Sequence, residues 1–237
     1  MAETLDFDAE YRGINRTDIT NSMWDQFAFG PPGRFSSYYN DFHSVTLAEW
    51  VVTETGVNTQ VINDAANGIL LLTNAAADND LTSMQLGNTA DGGTGESWLP
   101  IASRHIWFEA RLAISDATQS DMLIGLVVTD TTPLANANGI YFRKDDGDTQ
   151  IDFETNNTSV ASTSSAVGVM DTAFHTYGFK VTGTGQVEGY LDGVLVATLT
   201  SRIPTTELRV TCHIQNGEAV AKTLSWDYVF VAQTRVP

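Results

Sequence analysis

Two neighbouring stretches decide the fold: Ala173-Phe-His-Thr-Tyr-Gly-Phe-Lys-Val-Thr182 and Val187-Glu-Gly-Tyr-Leu-Asp-Gly-Val-Leu-Val-Ala-Thr198. In the first stretch apolar and polar residues alternate, which is the period of a β-strand with one buried face. A Gly-Thr-Gly turn joins the two stretches, and Asp192-Gly193 divides the second with the residue pair that favours a two-residue hairpin. The stretches therefore predict three consecutive antiparallel strands, a β-meander.

Short strands and turns continue on both sides of the meander, and no window has the period of an amphipathic helix. The runs with strand character lie at 68–73, 107–114, 122–128, 140–144, 150–155, 208–214 and 224–231. The turn Asp145-Asp-Gly-Asp148 marks a further hairpin. We therefore expect an all-β sandwich over residues 41–237, preceded by an extended N-terminal arm at residues 1–40.

The arm carries scattered aromatic residues without a sustained period, and Gly30-Pro-Pro-Gly33 excludes a helix or a central strand there. Exposed aromatic side chains are costly in water, so the arm lies either on its own sandwich or on another protein. The sequence leaves both possibilities open. The aromatic residues of the arm include Tyr11, Trp24, Phe27, Phe29 and Phe35.

The charge balance restricts the partners. The chain has 12 Lys and Arg against 29 Asp and Glu, a formal net charge of -17. Such a surface repels phosphate, so neither nucleic acid nor an anionic membrane is an expected partner. The single cysteine, Cys212, alternates with apolar residues and is predicted to lie in the core. The N-terminus has no apolar signal segment, so we expect synthesis in a host cytoplasm without secretion by a signal peptide.

The meander resembles the late strands of laminin G-like and concanavalin A-like jelly rolls. Those strands read Trp or Phe, then His, then alternating apolar residues, a turn, and a Tyr before an Asp-Gly hairpin, as Phe174, His175, Tyr190 and Asp192-Gly193 do here. The resemblance implies a concanavalin A-like jelly-roll β-sandwich. It says little about function, because this fold occurs in lectins, glycosidases, adhesion modules and virion proteins.

A second resemblance covers nearly everything after residue 38. The segments that carry it include Tyr38-Tyr-Asn-Asp-Phe42, Trp50-Val-Val-Thr-Glu-Thr-Gly56, Gly125-Leu-Val-Val-Thr-Asp-Thr-Thr-Pro133 and Gly139-Ile-Tyr-Phe-Arg-Lys-Asp-Asp-Gly147. In this order they are similar to tailed-phage virion proteins that decorate or cement the capsid. The resemblance implies a non-enzymatic structural protein on the outer capsid surface of a virion, without a cofactor. It would bind the major capsid protein as a homo-oligomer, with a trimer as the expected form. The resemblance also implies that the arm is the contact element with the capsid or a neighbouring copy, through the aromatic residues Tyr11, Trp24, Phe27, Phe29 and Phe35.

The alternative function is a carbohydrate-binding, lectin-like module on a virion or cell surface. Trp98 follows a glycine-rich loop and could serve as a sugar platform, although the favoured interpretation is a Trp folded back over the edge of the sandwich. Gln150-Ile-Asp-Phe-Glu-Thr155 resembles the E-x-D-x-E strand of jelly-roll glycoside hydrolases. Trp98, Asp152 and Glu154 are therefore the candidate glycan contacts.

Catalysis by the same strand is the less favoured interpretation. Gln150 stands where those hydrolases have the nucleophilic Glu, and a Gln cannot form the glycosyl ester. Asp152 and Glu154 point to one side, roughly 6.6 Å apart along the strand, which falls within the separation of about 6.5–9.5 Å typical of inverting enzymes. Paired acids on a solvated strand face are common, however, so no catalytic residue is predicted.

Calcium is the only metal that the sequence suggests. Asp78 and Asp80 in one predicted loop, and Asp146 and Asp148 in another, supply the oxygen ligands that calcium prefers. Neither loop has the EF-hand spacing, and Asp commonly shapes turns by bonding to the backbone. The prediction is therefore no metal, with these four residues as weak calcium candidates.

Overall fold

The computed structural model describes residues 23, 35–63, 68–87 and 97–235, and it is built from β-strands. Two short 3₁₀ turns, Leu47–Glu49 and Pro133–Ala135, interrupt them. The strands are β1 (Phe35–Asn40), β2 (Trp50–Thr55), β3 (Thr59–Asn63), β4 (Ile69–Thr73), β5 (Leu81–Leu86), β6 (His105–Ile114), β7 (Ser120–Val127), β8 (Gly139–Lys144), β9 (Gln150–Asn157), β10 (Val160–Val169), β11 (His175–Thr182), β12 (Gln186–Leu191), β13 (Val194–Leu199), β14 (Arg209–Asn216) and β15 (Thr223–Thr234).

The strands form two antiparallel sheets that face each other. The first sheet has the order β13-β12-β11-β6-β15-β4-β3, with β1 also paired to β15. The second sheet has the order β10-β9-β8-β7-β14-β5-β2. Neighbours in space are often distant in the sequence, as in a jelly roll, and the predicted all-β sandwich is confirmed. Within the described part of the chain, no helix has the length and apolar character needed to cross a membrane.

The core lies between the sheets and is built by alternate residues of each strand. On β6, Phe108, Ala110 and Leu112 point inward and are fully buried. Aromatic side chains fill much of the space between the layers, including the stacked pair Phe108 and Phe179 with ring centroids 4.7 Å apart. Burying such large apolar surfaces is the dominant favourable term in folding.

The meander is confirmed in detail. The strands β11, β12 and β13 are consecutive neighbours in the first sheet. The turn between β12 and β13 places both Asp192 (φ 50°) and Gly193 (φ 76°) in the left-handed region, as a two-residue hairpin requires. Gly189 on β12 packs so closely on the opposite sheet that a Cβ there would lie 2.8 Å from the Phe153 ring.

The N-terminal boundary differs from the prediction. Phe35–Asn40 is strand β1, which pairs with β15, so the sandwich starts before the expected residue 41. Phe35 makes an edge contact with Trp107 of the same domain, with ring centroids 5.9 Å apart. Met23 is 4% exposed and packs against Gly178 on the outer face of the first sheet. At these two residues the N-terminal segment contacts its own sandwich, whereas Tyr11, Trp24, Phe27 and Phe29 lie outside the described residues.

Candidate functional site

The outer face of the second sheet carries a row of polar side chains along β9, here called the polar strip: Gln150, Asp152, Glu154 and Asn156. Their neighbours Ile151 and Phe153 are fully buried in the core. Because successive side chains of a strand point to opposite faces, the strip points away from the core. The sequence predicted this arrangement for Asp152 and Glu154, and the structure brings the two residues to the same face.

Two adjacent strands add further polar groups. On β8, Arg143 lies opposite Asp152 and Tyr141 lies opposite Glu154. On β10, the exposed Thr163 lies opposite Glu154 on the other side. Directly paired residues have Cβ atoms about 4.5–5.5 Å apart, so these five side chains form one continuous patch.

Glu154 is held in place by two hydroxyl groups. The Tyr141 hydroxyl donates to Glu154 Oε2 at 2.7 Å, and the Thr163 hydroxyl donates to Oε1 at 3.3 Å. Tyr141 is 1% exposed, and burial together with the Glu154 carboxylate raises the pKa of its hydroxyl well above the usual value. The tyrosine is therefore a hydrogen-bond donor at physiological pH, and it fixes the carboxylate toward Thr163.

Asp152 is oriented by the backbone of β10. The register of β9 and β10 shifts between Ser164 and Gly168, and the backbone amide of Ala166 within this bulge donates to Asp152 Oδ1 at 2.7 Å. Ala166 adopts a left-handed conformation (φ 55°), which turns its amide toward the carboxylate. Bulges commonly aim individual groups in this way. Asp152 itself is half-buried.

The connection between β7 and β8 bounds the patch on one side. Leu134 packs on the cluster of Leu123, Val127 and Tyr141 that covers the outer face of the second sheet. The amide of Asn156 donates to the Asn136 carbonyl at 2.7 Å and ties this connection to β9. Among the described residues, the Oδ1 atoms of these two asparagines accept no hydrogen bond. Both atoms are buried, so a ligand on the surface does not reach them.

The electrostatic surroundings of the patch are acidic. Arg143 forms an ion pair with Asp145 and also donates to the Leu134 carbonyl at 3.1 Å. Three exposed carboxylates, Asp145, Asp146 and Asp148, crowd the β8–β9 turn. On β14 of the same face, burial lowers the pKa of His213 to about 4, so this histidine is neutral at pH 7. The patch therefore offers many hydrogen-bonding groups while its surroundings carry excess negative charge.

Sequence reasoning found Asp152 and Glu154 but missed Arg143, Tyr141 and Thr163. The available signal was the Asp-Gly turn between β8 and β9, because counting outward from it places Arg143 and Tyr141 across from the two acids. The turn between β9 and β10, Thr158-Ser159, contains neither Asn-Gly nor Asp-Gly, so the sequence offered no comparable starting point for a count to Thr163.

Trp98 does not join the patch, which corrects its prediction as a glycan contact. Its side chain is fully buried in the core, and its backbone forms an isolated bridge with Leu208. A ring in this position presents no face to a sugar. The glycine-rich loop that suggested an exposed platform, residues 88–96, lies outside the described residues.

The acidic loops shape their own backbones. Asp80 is 6% exposed and accepts the Ala77 amide at 3.0 Å, while Asp78 is exposed on the same turn. Asp148 accepts the Gln150 amide at 2.8 Å, and the Asp146 amide donates to Asp121. Over the described residues, no group of three or more His, Cys, Asp and Glu side chains is placed to hold a metal ion.

Comparisons with known proteins bear on the fold. No protein-family model matches the sequence, and no curated protein matches it. Among solved structures, an apo Crh5 transglycosylase is similar with a TM-score of 0.58, 18% identity, and coverage of 85% of this chain and 87% of that one. A Bacteroides ovatus family 16 glycoside hydrolase in complex with its product has a TM-score of 0.58, 11% identity, and coverage of 81% and 98%. The carbohydrate recognition domain of Emp47p has a TM-score of 0.57, 12% identity, and coverage of 85% and 98%.

These structural similarities contradict the expectation about enzymatic activity and confirm the expected fold. The inference that the chain is not an enzyme was wrong, because two of the three structures are enzymes that share its fold. None of the three is a virion protein, so the finer resemblance to capsid-decorating proteins receives no support from them. The coarser prediction is confirmed: the chain folds as a concanavalin A-like jelly-roll β-sandwich.

Proposed function

We propose that the protein binds carbohydrate chains on the outer face of its second sheet, at the polar strip. The observation that carries the proposal is the continuous patch of Asp152, Glu154, Arg143 and Thr163, in which hydroxyl, carboxylate and guanidinium groups lie side by side. Sugars are recognised by such groups because each hydroxyl both donates and accepts. A carbohydrate recognition domain among the structural neighbours supports the proposal at the level of the fold.

The charge around the patch selects the class of sugar. Arg143 is ion-paired with Asp145, and none of the four other carboxylates, Asp146, Asp148, Asp152 and Glu154, forms an ion pair among those that the structure describes. A uronic acid or sulfated sugar would meet like charges, which costs free energy at short range. The ligand that fits is therefore a neutral glycan, bound through its hydroxyl groups.

Affinity electrophoresis and calorimetry with neutral polysaccharides test the proposal directly. Thr163→Val removes one hydroxyl from the patch without a change of size, and we expect binding to fall about tenfold, the loss of one or two hydrogen bonds. Thr182→Val is the matched control, because Thr182 is also an exposed strand threonine but lies on the first sheet. Equal binding by the two variants, or binding of alginate in preference to neutral glycans, would refute the assignment.

A second candidate function is hydrolysis of the bound glycan by the pair Asp152 and Glu154. The observation that favours it is their position on one face of β9, at the spacing of inverting glycosidases, roughly 6.5–9.5 Å. Release of reducing ends from a neutral polysaccharide that disappears in Glu154→Gln would establish this activity. Glu154→Gln keeps a side-chain oxygen for the Tyr141 hydroxyl, so the loss would report chemistry and not misfolding.

Attachment to a phage capsid remains a prediction from sequence resemblance. It comprises the major capsid protein as partner, a homotrimer, and a location on the virion surface. Co-sedimentation of the purified protein with emptied capsid shells is the direct measurement. Sugar binding and capsid attachment are compatible, since a protein on a virion surface can also bind glycans.

A further inference from the structure

Part of the outer face of the second sheet is closed to solvent. Side chains near the middle of β5, β14 and β7 point away from the core, yet each is at most 1% exposed. They are Ser83, Gln85, Thr211, His213, Leu123 and Val127. The polar strip lies on the open part of the same face, on β9.

The connection between β7 and β8, residues 128–138 and here called the strap, lies over this closed part. Val127 pairs directly with Gly139, so a hairpin loop of roughly two to five residues would join the strands. The strap instead reaches β5, where Gln85 accepts the Asp130 amide at 2.9 Å and donates to the Val128 carbonyl at 3.1 Å. Because β14 lies between β7 and β5, the strap crosses β14.

Hydrogen bonds from side chains hold the strap, and little of it is buried. Pro133 and Asn136 are its only buried residues. Besides the bonds of Gln85, Arg143 donates to the Leu134 carbonyl and Asn156 donates to the Asn136 carbonyl. Segments with few buried apolar contacts open locally at a lower free energy than core strands do. The strap can therefore move while the sandwich stays folded.

The closed part contains buried polar groups without partners. In the described chain neither ring nitrogen of His213 has a hydrogen-bond partner, and neither does the hydroxyl of Ser83, which faces His213 from β5. The amide of Gln215, two residues along β14, donates to Asn79 at 2.9 Å. Burying polar groups without partners lowers stability, and native proteins rarely keep them. Two such residues side by side are groups that a ligand could satisfy.

The sheet register connects these groups with the polar strip. Pairing places one outward residue from each of five adjacent strands side by side, in the order Ser83, His213, Leu123, Arg143 and Asp152. Neighbouring strands are about 4.8 Å apart, so His213 lies about 14 Å from Asp152. Leu123 interrupts the polar row, and Leu134 of the strap packs on the cluster to which Leu123 belongs.

We propose that the strap is a lid over a covered extension of the sugar site, in which His213 and Ser83 bind hydroxyl groups of a longer neutral glycan once the strap opens. This extension rests on the proposed sugar binding at the polar strip. A neutral imidazole has one donor and one acceptor, and a serine hydroxyl both donates and accepts. Sugar hydroxyl groups also donate and accept, so they match both side chains.

Reaction with diethyl pyrocarbonate, which acylates accessible neutral imidazoles, tests the lid without any ligand. Gln85→Ala removes two of the bonds that hold the strap, and we expect His213 to react at least about tenfold faster than in the wild type. The matched control is Gln233→Ala, because Gln233 holds the backbone of Leu99 in the same way on the first sheet. Unchanged reactivity in Gln85→Ala, or equal acceleration in both variants, would overturn the lid.

Calorimetry with a glucose disaccharide and a glucose hexasaccharide tests the extension. We expect the hexasaccharide to bind at least about tenfold more tightly, and Ser83→Ala to reduce this gain at least about threefold. A disaccharide that binds without any gain for the hexasaccharide would refute the extension alone. Binding of neither sugar would refute the proposed sugar site and, with it, the extension.

Melting temperatures separate a ligand-binding serine from a structural one. Ser83→Ala should leave the melting temperature within about 1 °C of the wild type, because no bond is lost. Ser120 is equally buried but donates to the Asp116 carbonyl at 2.6 Å, so Ser120→Ala should lower the melting temperature by about 2–4 °C. An equal loss in the two variants would show that Ser83 has a structural partner, which contradicts its role in the extension.

Discussion

Tyr141→Phe is the most informative single change in the candidate site. It removes one hydroxyl, which donates to Glu154 Oε2 at 2.7 Å, and keeps the ring that packs with Leu123 and Val127. Tyr141 is 1% exposed and Glu154 is 9% exposed, so water does not readily replace the lost donor. A hydrogen bond to a charged group contributes about 1.5–3 kcal/mol to stability. Because Thr163 still donates to Glu154, we expect a loss of about 2 kcal/mol in the free energy of unfolding.

Urea unfolding at pH 7 measures this loss, with an unchanged denaturant slope as evidence that only stability has altered. The control is Tyr39→Phe, because Tyr39 is 60% exposed, and its change should stay within about 0.5 kcal/mol. In the double variant with Glu154→Gln the two losses should be less than additive, since both changes weaken the same contact. A loss below about 0.5 kcal/mol in Tyr141→Phe would show that the hydroxyl does not hold the carboxylate.

Three further predictions test the fold around the site. The hydrogen bond from Lys222 lowers the pKa of Asp116 from 3.8 to about 2. The free energy of unfolding should therefore fall as the pH drops from about 4 to 2. Asp116→Asn should flatten that part of a plot of melting temperature against pH. Burial opposes protonation of His175, but its hydrogen bonds to two aspartates raise its pKa above 6.5. The stability that the protonated His175 contributes is therefore present below pH 6.5 and is lost as the pH rises through the raised pKa. His175→Gln should remove this decline in melting temperature. Gly189→Ala should lower the free energy of unfolding in urea by about 1–3 kcal/mol, because the new Cβ would lie 2.8 Å from the Phe153 ring. Gly185→Ala is the control and should leave stability nearly unchanged, because the nearest atom to its new Cβ is 3.9 Å away.

Sequence alone predicted the layers of the fold because each signal was local. Alternation over Trp107 to Ile114 assigned both faces of β6 correctly, and the Asp192-Gly193 pair located a hairpin whose backbone the structure confirms. Long-range pairing has no such signal. Nothing local indicates that β6 lies between β11 and β15, or that β14 joins β7 to β5.

The errors came from irregular geometry. Trp226, Tyr228 and Phe230 alternate in the sequence, and a period of two places all three on one face of the last strand. The structure has a bulge between Trp226 and Tyr228, so the tryptophan lies in the core while the other two point outward. A single extra residue reverses the faces of everything beyond it, and a period of two cannot reveal it. The same cause hid Ala166, which reaches Asp152 through the bulge in β10.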